Sequence, residues 1–181
     1  MLKPSFRTLA RNWWPSVVWL GVLRLESTEA ASSTNTLGCL HAVLVFFFPH
    51  INGGWVWELN YLLRKTGHFM GYGILGALVF YALRNTNRDR FASLLLRRWG
   101  IYLHDVWRSE WVMIGMLVAV TTASLDEIHQ TFLPSRTGRW QDVVLDACGA
   151  AFLQIIIYLF SLRALSRRRE RAPQPEFSST P

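Results

Sequence analysis

A chain of 181 residues is about one domain's worth, yet 51% of it is hydrophobic, 14% aromatic, and nine of its residues are Trp. That is too apolar for an ordinary soluble domain of this size and points to a membrane. A net charge of +7 would suit a nucleic-acid partner if the basic residues shared a surface; here they fall into patches flanking apolar runs, so the charge marks topology and implies no nucleic acid.

Lys3, Arg7 and Arg11 open the chain, and the first apolar run, Asn12 to Leu23, predicts a span from about Thr8 to Leu25. A basic start before a short apolar run also describes a cleaved signal peptide, with TEA at 28–30 as its processing site. Trp13, Trp14 and Pro15 favour a retained helix. From Ala30 to Trp57 there is no Asp, Glu, Lys or Arg, and LGCLHAVLVFFF at 37–48 is strongly apolar. Twelve residues are too few to cross a bilayer, and Pro49 with Gly53 and Gly54 stops the run, so an interfacial or re-entrant helix on the outer face is expected.

The second span covers Thr66 to Leu83, with Gly67, Gly71, Gly73 and Gly76 as small positions that let another helix approach closely. Lys65, His68 and Tyr72 recur at three- and four-residue steps and so share one helical face. By themselves, His68 reads most simply as a helix-end histidine bonded to backbone and Tyr72 as an interfacial aromatic. Residues 84–110 carry Arg84, Arg88, Arg90, Arg97, Arg98 and Arg108, and FASLLLRRWGIYLHDVW at 91–107 has the composition of an amphipathic helix on the inner leaflet. The third and fourth spans, Trp111 to Leu125 and Ala147 to Leu162, contain no charged residue. A basic, Pro-containing tail at 166–181 is expected to be disordered. Because Lys and Arg stay inside, both termini are placed in the cytoplasm of a plasma-membrane protein. Cys39 and Cys148 suggest neither a disulfide framework nor a zinc site.

Between the third and fourth spans lies SLDEIHQTFLPSRTGRWQDVVLD, residues 124–146, with far more ionisable groups than a hairpin requires. Asp126 and Gln130 are one helical turn apart, as are Asp142 and Asp146 at a helix start, where carboxylates meet the positive end of the dipole. Gly149 continues that face and admits a close neighbour. This topology brings Arg64, Lys65 and His68 to the same membrane face. Four cations, Arg64, Lys65, Arg136 and Arg139, then balance Asp126, Glu127, Asp142 and Asp146, which would suffice for a purely structural latch. Three chemistries compete with the latch. PSRTGR at 134–139 offers guanidiniums and backbone amides to a phosphate. His68 with Asp126 or Glu127 could act as an acid–base pair. A metal held by His68, Glu127, His129 and Asp142 has no helical HExxH spacing behind it, and no metal or cofactor is assigned.

Three pieces, RKTGHFMGYGIL at 64–75, DEIHQTFLPSRTG at 126–138 and QDVVLDACGA at 141–150, resemble the VanZ-like family of small bacterial membrane proteins, named for a teicoplanin-resistance protein. The family pattern falls on Lys65, His68, Tyr72, Asp126, Glu127, Gln130, Arg136, Asp142 and Gly149; STEAASSTNT at 27–36 echoes its Ser-rich segment. Leu153 stands where the family often has a second Gly, and Asp146 where it often has Asn, which leaves Asp146 outside the shared chemistry. The resemblance implies a multi-pass plasma-membrane protein linked to glycopeptide sensitivity, without an agreed activity. A fainter likeness joins SRTGRWQDVVLD at 135–146 to the last motif of type 2 lipid phosphatases, but Asp142 or Asp146 stands where that family needs a nucleophilic His.

The expected architecture is all-α: a four-span membrane bundle with an outer interfacial helix and an inner amphipathic one. Residues 1–165 form the membrane domain, its motifs lying within 60–160. The expected site comprises Lys65, Tyr72, Asp126, Gln130, Arg136 and Asp142 for a membrane lipid or lipid-linked precursor, with His68 and Glu127 as the pair for catalysis. Oligomeric state is left open.

Overall fold

In the computed structural model, residues 5–95, 107–134 and 136–171 are described, and among them the chain is helical throughout, without strands. Five helices follow in order: α1 at Phe6–Glu26, α2 at Ser33–Phe47, α3 at Gly53–Leu95, α4 at Ser109–Gln130 and α5 at Trp140–Arg171. Side-chain caps start the first two, Ser5 accepting from the Thr8 amide and Ser32 from that of Asn35. Asp142 occupies the first turn of α5, where its charge complements the exposed amides.

Three helices are long and apolar enough to cross a membrane, over Gly53–Asn87, Ser109–Gln130 and Trp140–Ala164. Fewer than half of the residues in the apolar window of each are buried. Outward-facing Met113, Leu117, Ile155 and Phe160 therefore need an apolar solvent, which lipid supplies. The expected first span forms α1, 21 residues long, but Arg7, Arg11, Asn12, Arg24 and Glu26 leave it short of the same apolarity.

Several boundaries differ from expectation. The second span does not end near Leu83: α3 runs unbroken for 43 residues, so 84–95 continue it and do not begin a separate surface helix. No Pro or Gly interrupts that stretch, so nothing in it breaks the hydrogen-bond ladder. The rest of the expected inner amphipathic helix, 96–106, lies outside the described residues. Likewise α5 continues through Arg171, carrying helix into the first residues of the tail expected to be disordered, while 172–181 are outside the description. The apolar segment expected at 37–48 is helical as α2, beginning four residues early because Ser32 caps it.

Helix α3 is the axis against which α1, α2, α4 and α5 all pack. Leu23 of α1, Tyr72, Leu75 and Val79 of α3 and Ala123 of α4 form one buried cluster, with Trp13, Trp19 and Val143 around it. Phe80, Trp111 and Ile157 form another, toward the other end of α3. Apolar burial drives little association inside lipid, so close backbone approach and interhelical hydrogen bonds matter more. Gly149 of α5 sits on the Phe69 carbonyl, and a Cβ on Gly73 would meet the Gly149 carbonyl at 2.8 Å. On the α4 side, a Cβ on Gly115 would meet the Gly76 carbonyl at 2.7 Å, and Gln154 donates to that same carbonyl at 3.0 Å. Trp19 Nε1 donates to the Gly71 carbonyl at 2.8 Å, tying α1 to the axis.

Gly149→Ala should therefore separate α3 from α5 and destabilise the fold by about 1–3 kcal/mol, despite alanine's better helix propensity. Gly67→Ala has nothing within 4 Å and should be neutral or stabilising by up to about 1 kcal/mol. Thermal unfolding of both variants in detergent reads the contrast.

Candidate functional site

The C-terminal ends of α1 and α4, the first half of α3 and the start of α5 meet at one end of the bundle. Helices α3 and α5 run parallel there, and the two i, i+4-type faces read from the sequence lie against each other. Lys65 forms an ion pair and hydrogen bond with Asp142. One turn further along both helices, His68 Nδ1 stands 3.5 Å from Asp146 Oδ1, an ion-pair separation longer than a good hydrogen bond. The Tyr72 ring, 2% exposed, lies 6.2 Å from the His68 ring at a 26° tilt, fixing that imidazole from the inner side.

Helix α4 reaches Gln130, as the Asp126–Gln130 pairing requires, and Gln130 Nε2 donates to Asp126 Oδ2 at 3.0 Å. The other Asp126 oxygen is 3.9 Å from Arg24 Nη1, a partner lying near the end of the expected first span. Glu127, 5% exposed, accepts the Arg139 amide at 2.7 Å through Oε2. That amide belongs to the turn proposed for phosphate, so Glu127 already takes one anion position in it. Gly138 makes the arrangement sterically feasible, since any side chain there would collide with the Glu127 carbonyl.

Arg136 takes a role that no motif disclosed. Its Nη2 donates to the carbonyls of Glu26, Thr28 and Ala31 at 2.6, 3.0 and 2.7 Å, and Arg64 Nη1 donates to the same Ala31 carbonyl at 2.7 Å. Two guanidiniums thus strap the α1–α2 connection onto the α4–α5 turn and α3. The Ser-rich segment supplies two of the three carbonyls, those of Thr28 and Ala31, and Asn60 adds a bond to the Ser33 carbonyl at 3.4 Å. Burial lowers the Arg136 pKa from its ordinary value, against the raising pull of Asp126, Glu127 and Glu26. A guanidinium remains charged under such a shift. The exposed side chain of Arg139 contributes no comparable contact, its amide being the part in use.

Among the described residues, His68, Glu127 and Asp146 gather as possible metal ligands, their ligand-capable atoms all within 4.8 Å of one another. Neither His129 nor Asp142 belongs to that group, although sequence had placed them among possible ligands. Asp146, set aside because relatives often carry Asn, is 1% exposed and lies at the centre. One clue to it was present: Asp142, Asp146 and Gly149 share a helical face, and Gly149 brings that face against α3.

An α-helical membrane protein with an ionisable cluster at one end of its bundle is the class that this fold and site define. The chain belongs to the VanZ/LLP1 family, whose sequence profile it matches over residues 13–161. Comparison with curated proteins and with solved structures yields no match.

Replacing Arg136 by Lys shortens the side chain and removes the guanidinium whose Nη2 reaches three carbonyls. A loss of roughly 2–4 kcal/mol is expected, since bonds to charged groups each contribute about 1.5–3 kcal/mol and the freed carbonyls are partly buried. Equilibrium unfolding in mixed micelles measures it.

Proposed function

We propose that this protein binds the polar head of an anionic envelope lipid or lipid-linked cell-wall precursor at the ionisable end of its bundle. The observation that carries this proposal is the position of Lys65 and His68. They sit at the edge of an apolar bundle with side chains 25% and 21% exposed, backed by the buried carboxylates of Asp146 and Glu127. Lys65 spends one donor on Asp142 and keeps others for a phosphate or hydroxyl at the boundary between water and lipid. Arg136, held by backbone carbonyls, would contribute positive potential and hold Glu127's turn in place.

In this proposal α1 is a fourth crossing. Its length is roughly 31 Å at 1.5 Å per residue, it lies along α3 through Trp19 and Leu23, and Trp14, Val17 and Val18 face outward. Arg84, Arg163 and Arg167 stand at the opposite end from the cluster, so the positive-inside rule puts the cluster outside and both termini in the cytoplasm of the plasma membrane. Reporter fusions test this arrangement. Alkaline phosphatase joined at Asn52 should be active and joined after Arg171 inactive; the reverse pattern overturns it.

The strap of Arg136 and Arg64 favours a second possibility, that the charged cluster chiefly holds helices together. Stability separates the two. Phosphatidylglycerol or a lipid-linked peptidoglycan precursor should raise the unfolding temperature of the wild type well above the effect of phosphatidylcholine. Lys65→Ala should weaken that binding about tenfold, the worth of one charge-assisted bond. If no anionic lipid shifts the wild type while Lys65→Ala lowers stability alone, the latch is the better account. The family resemblance adds one phenotype to follow, altered sensitivity to lipid-anchored glycopeptides.

A further inference from the structure

We propose that His68, Glu127 and Asp146 form a binding site for a divalent transition-metal cation of the Zn2+ or Mn2+ kind. The three side chains come from α3, α4 and α5, and their ligand-capable atoms lie within 4.8 Å of one another. Zinc or manganese bonds of about 2.0–2.2 Å to imidazole nitrogen and carboxylate oxygen put neighbouring ligands roughly 3–4 Å apart, so a small inward adjustment of side chains closes the site.

A second observation points to a ligand independently of this clustering. Glu127 and Asp146 are more than nine-tenths buried, yet Glu127 Oε1, His68 Nδ1 and both Asp146 oxygens have no hydrogen-bond partner among the described residues. Buried carboxylate oxygens without donors are costly, most of all at membrane depth. Apart from the His68 imidazole, 3.5 Å from Asp146 Oδ1, the neighbouring cations among the described residues are engaged elsewhere. Lys65 is bound to Asp142, Arg136 to backbone carbonyls, and Arg24 lies against Asp126. A neutral imidazole with two carboxylates carries two negative charges, which one divalent cation neutralises while accepting the orphaned atoms as ligands.

Donor chemistry narrows the metal. One nitrogen and two carboxylate groups suit zinc, manganese or ferrous iron better than the all-oxygen preference of calcium and magnesium. Three protein ligands leave at least one coordination position open, and the exposed edge of His68 gives it a route to the surface. If the lipid reading holds, that position would take a phosphate oxygen of the headgroup, beside Lys65. The metal site itself rests on the residues alone.

The test uses the full chain, purified in detergent, stripped with EDTA and titrated with Zn2+ and Mn2+ separately. Calorimetry should give one ion per chain with a rise in unfolding temperature, and Co2+ substituted at the site should give a visible absorption band. Asp146→Asn and Glu127→Gln should each weaken binding at least about tenfold, removing one ligand each. His41→Gln, on the exposed surface of α2, should change nothing. Metal-free Asp146→Asn should be at least as stable as the metal-free wild type, because the substitution removes a buried charge that lacks a donor; a structural ion pair predicts the opposite. Absence of stoichiometric binding, or binding unaffected by both carboxylate variants, overturns the proposal. Repeating the phosphatidylglycerol titration with and without metal separates failure of the cation site from failure of lipid binding.

Discussion

The crossing of α3 and α5 at Gly73 and Gly149 sets the spacing of everything polar in this molecule. Because a glycine backbone rests against the Phe69 carbonyl, the two parallel helices touch along a line that continues to Lys65 beside Asp142 and His68 beside Asp146. The same closeness further along lets Gln154 reach the Gly76 carbonyl, where α4 also presents a glycine. Wider separation would leave those side chains reaching across a gap that lipid cannot fill with hydrogen bonds. The glycines and the ionisable residues are therefore parts of one device, although they alternate along the chain.

Away from that crossing the limiting problem is irregular backbone. The link between α1 and α2 turns through a short 3-10 segment at Glu29–Ala31, leaving the carbonyls of Glu26 and Ala31 without helical partners and that of Thr28 with only the Ala31 amide. Such groups need donors wherever water is scarce. Arginine supplies several donors from one charged group, and two arginines from different elements converge here. An Arg in a motif shared with relatives invites a functional role; this one first completes the fold.

Much of the architecture was legible because its causes are local. Uncharged runs at Trp111–Leu125 and Ala147–Leu162, small residues along one face of α3, and the i, i+4 pairs at the ends of α4 and α5 are properties of short windows. What escaped depends on partners distant in sequence. Arg24 stands against Asp126 of α4, about a hundred positions later, and Arg136 bonds to residues more than a hundred positions earlier. Asp146 was discounted by comparison with a family pattern, whereas its burial follows from the helix face that Gly149 commits to α3. The length of α3 was missed for a different reason: charge marks where a helix leaves the apolar layer, and helices need not stop there.

That length has a mechanical consequence. From His68 to Leu95 the helix continues for roughly 40 Å without a break. A tilt of about 5° pivoting near the ionisable cluster would displace the far end by roughly 3–4 Å, by the geometry of a rigid rod of that length. Movement at one end of α3 is thereby carried to the other through a single stiff lever.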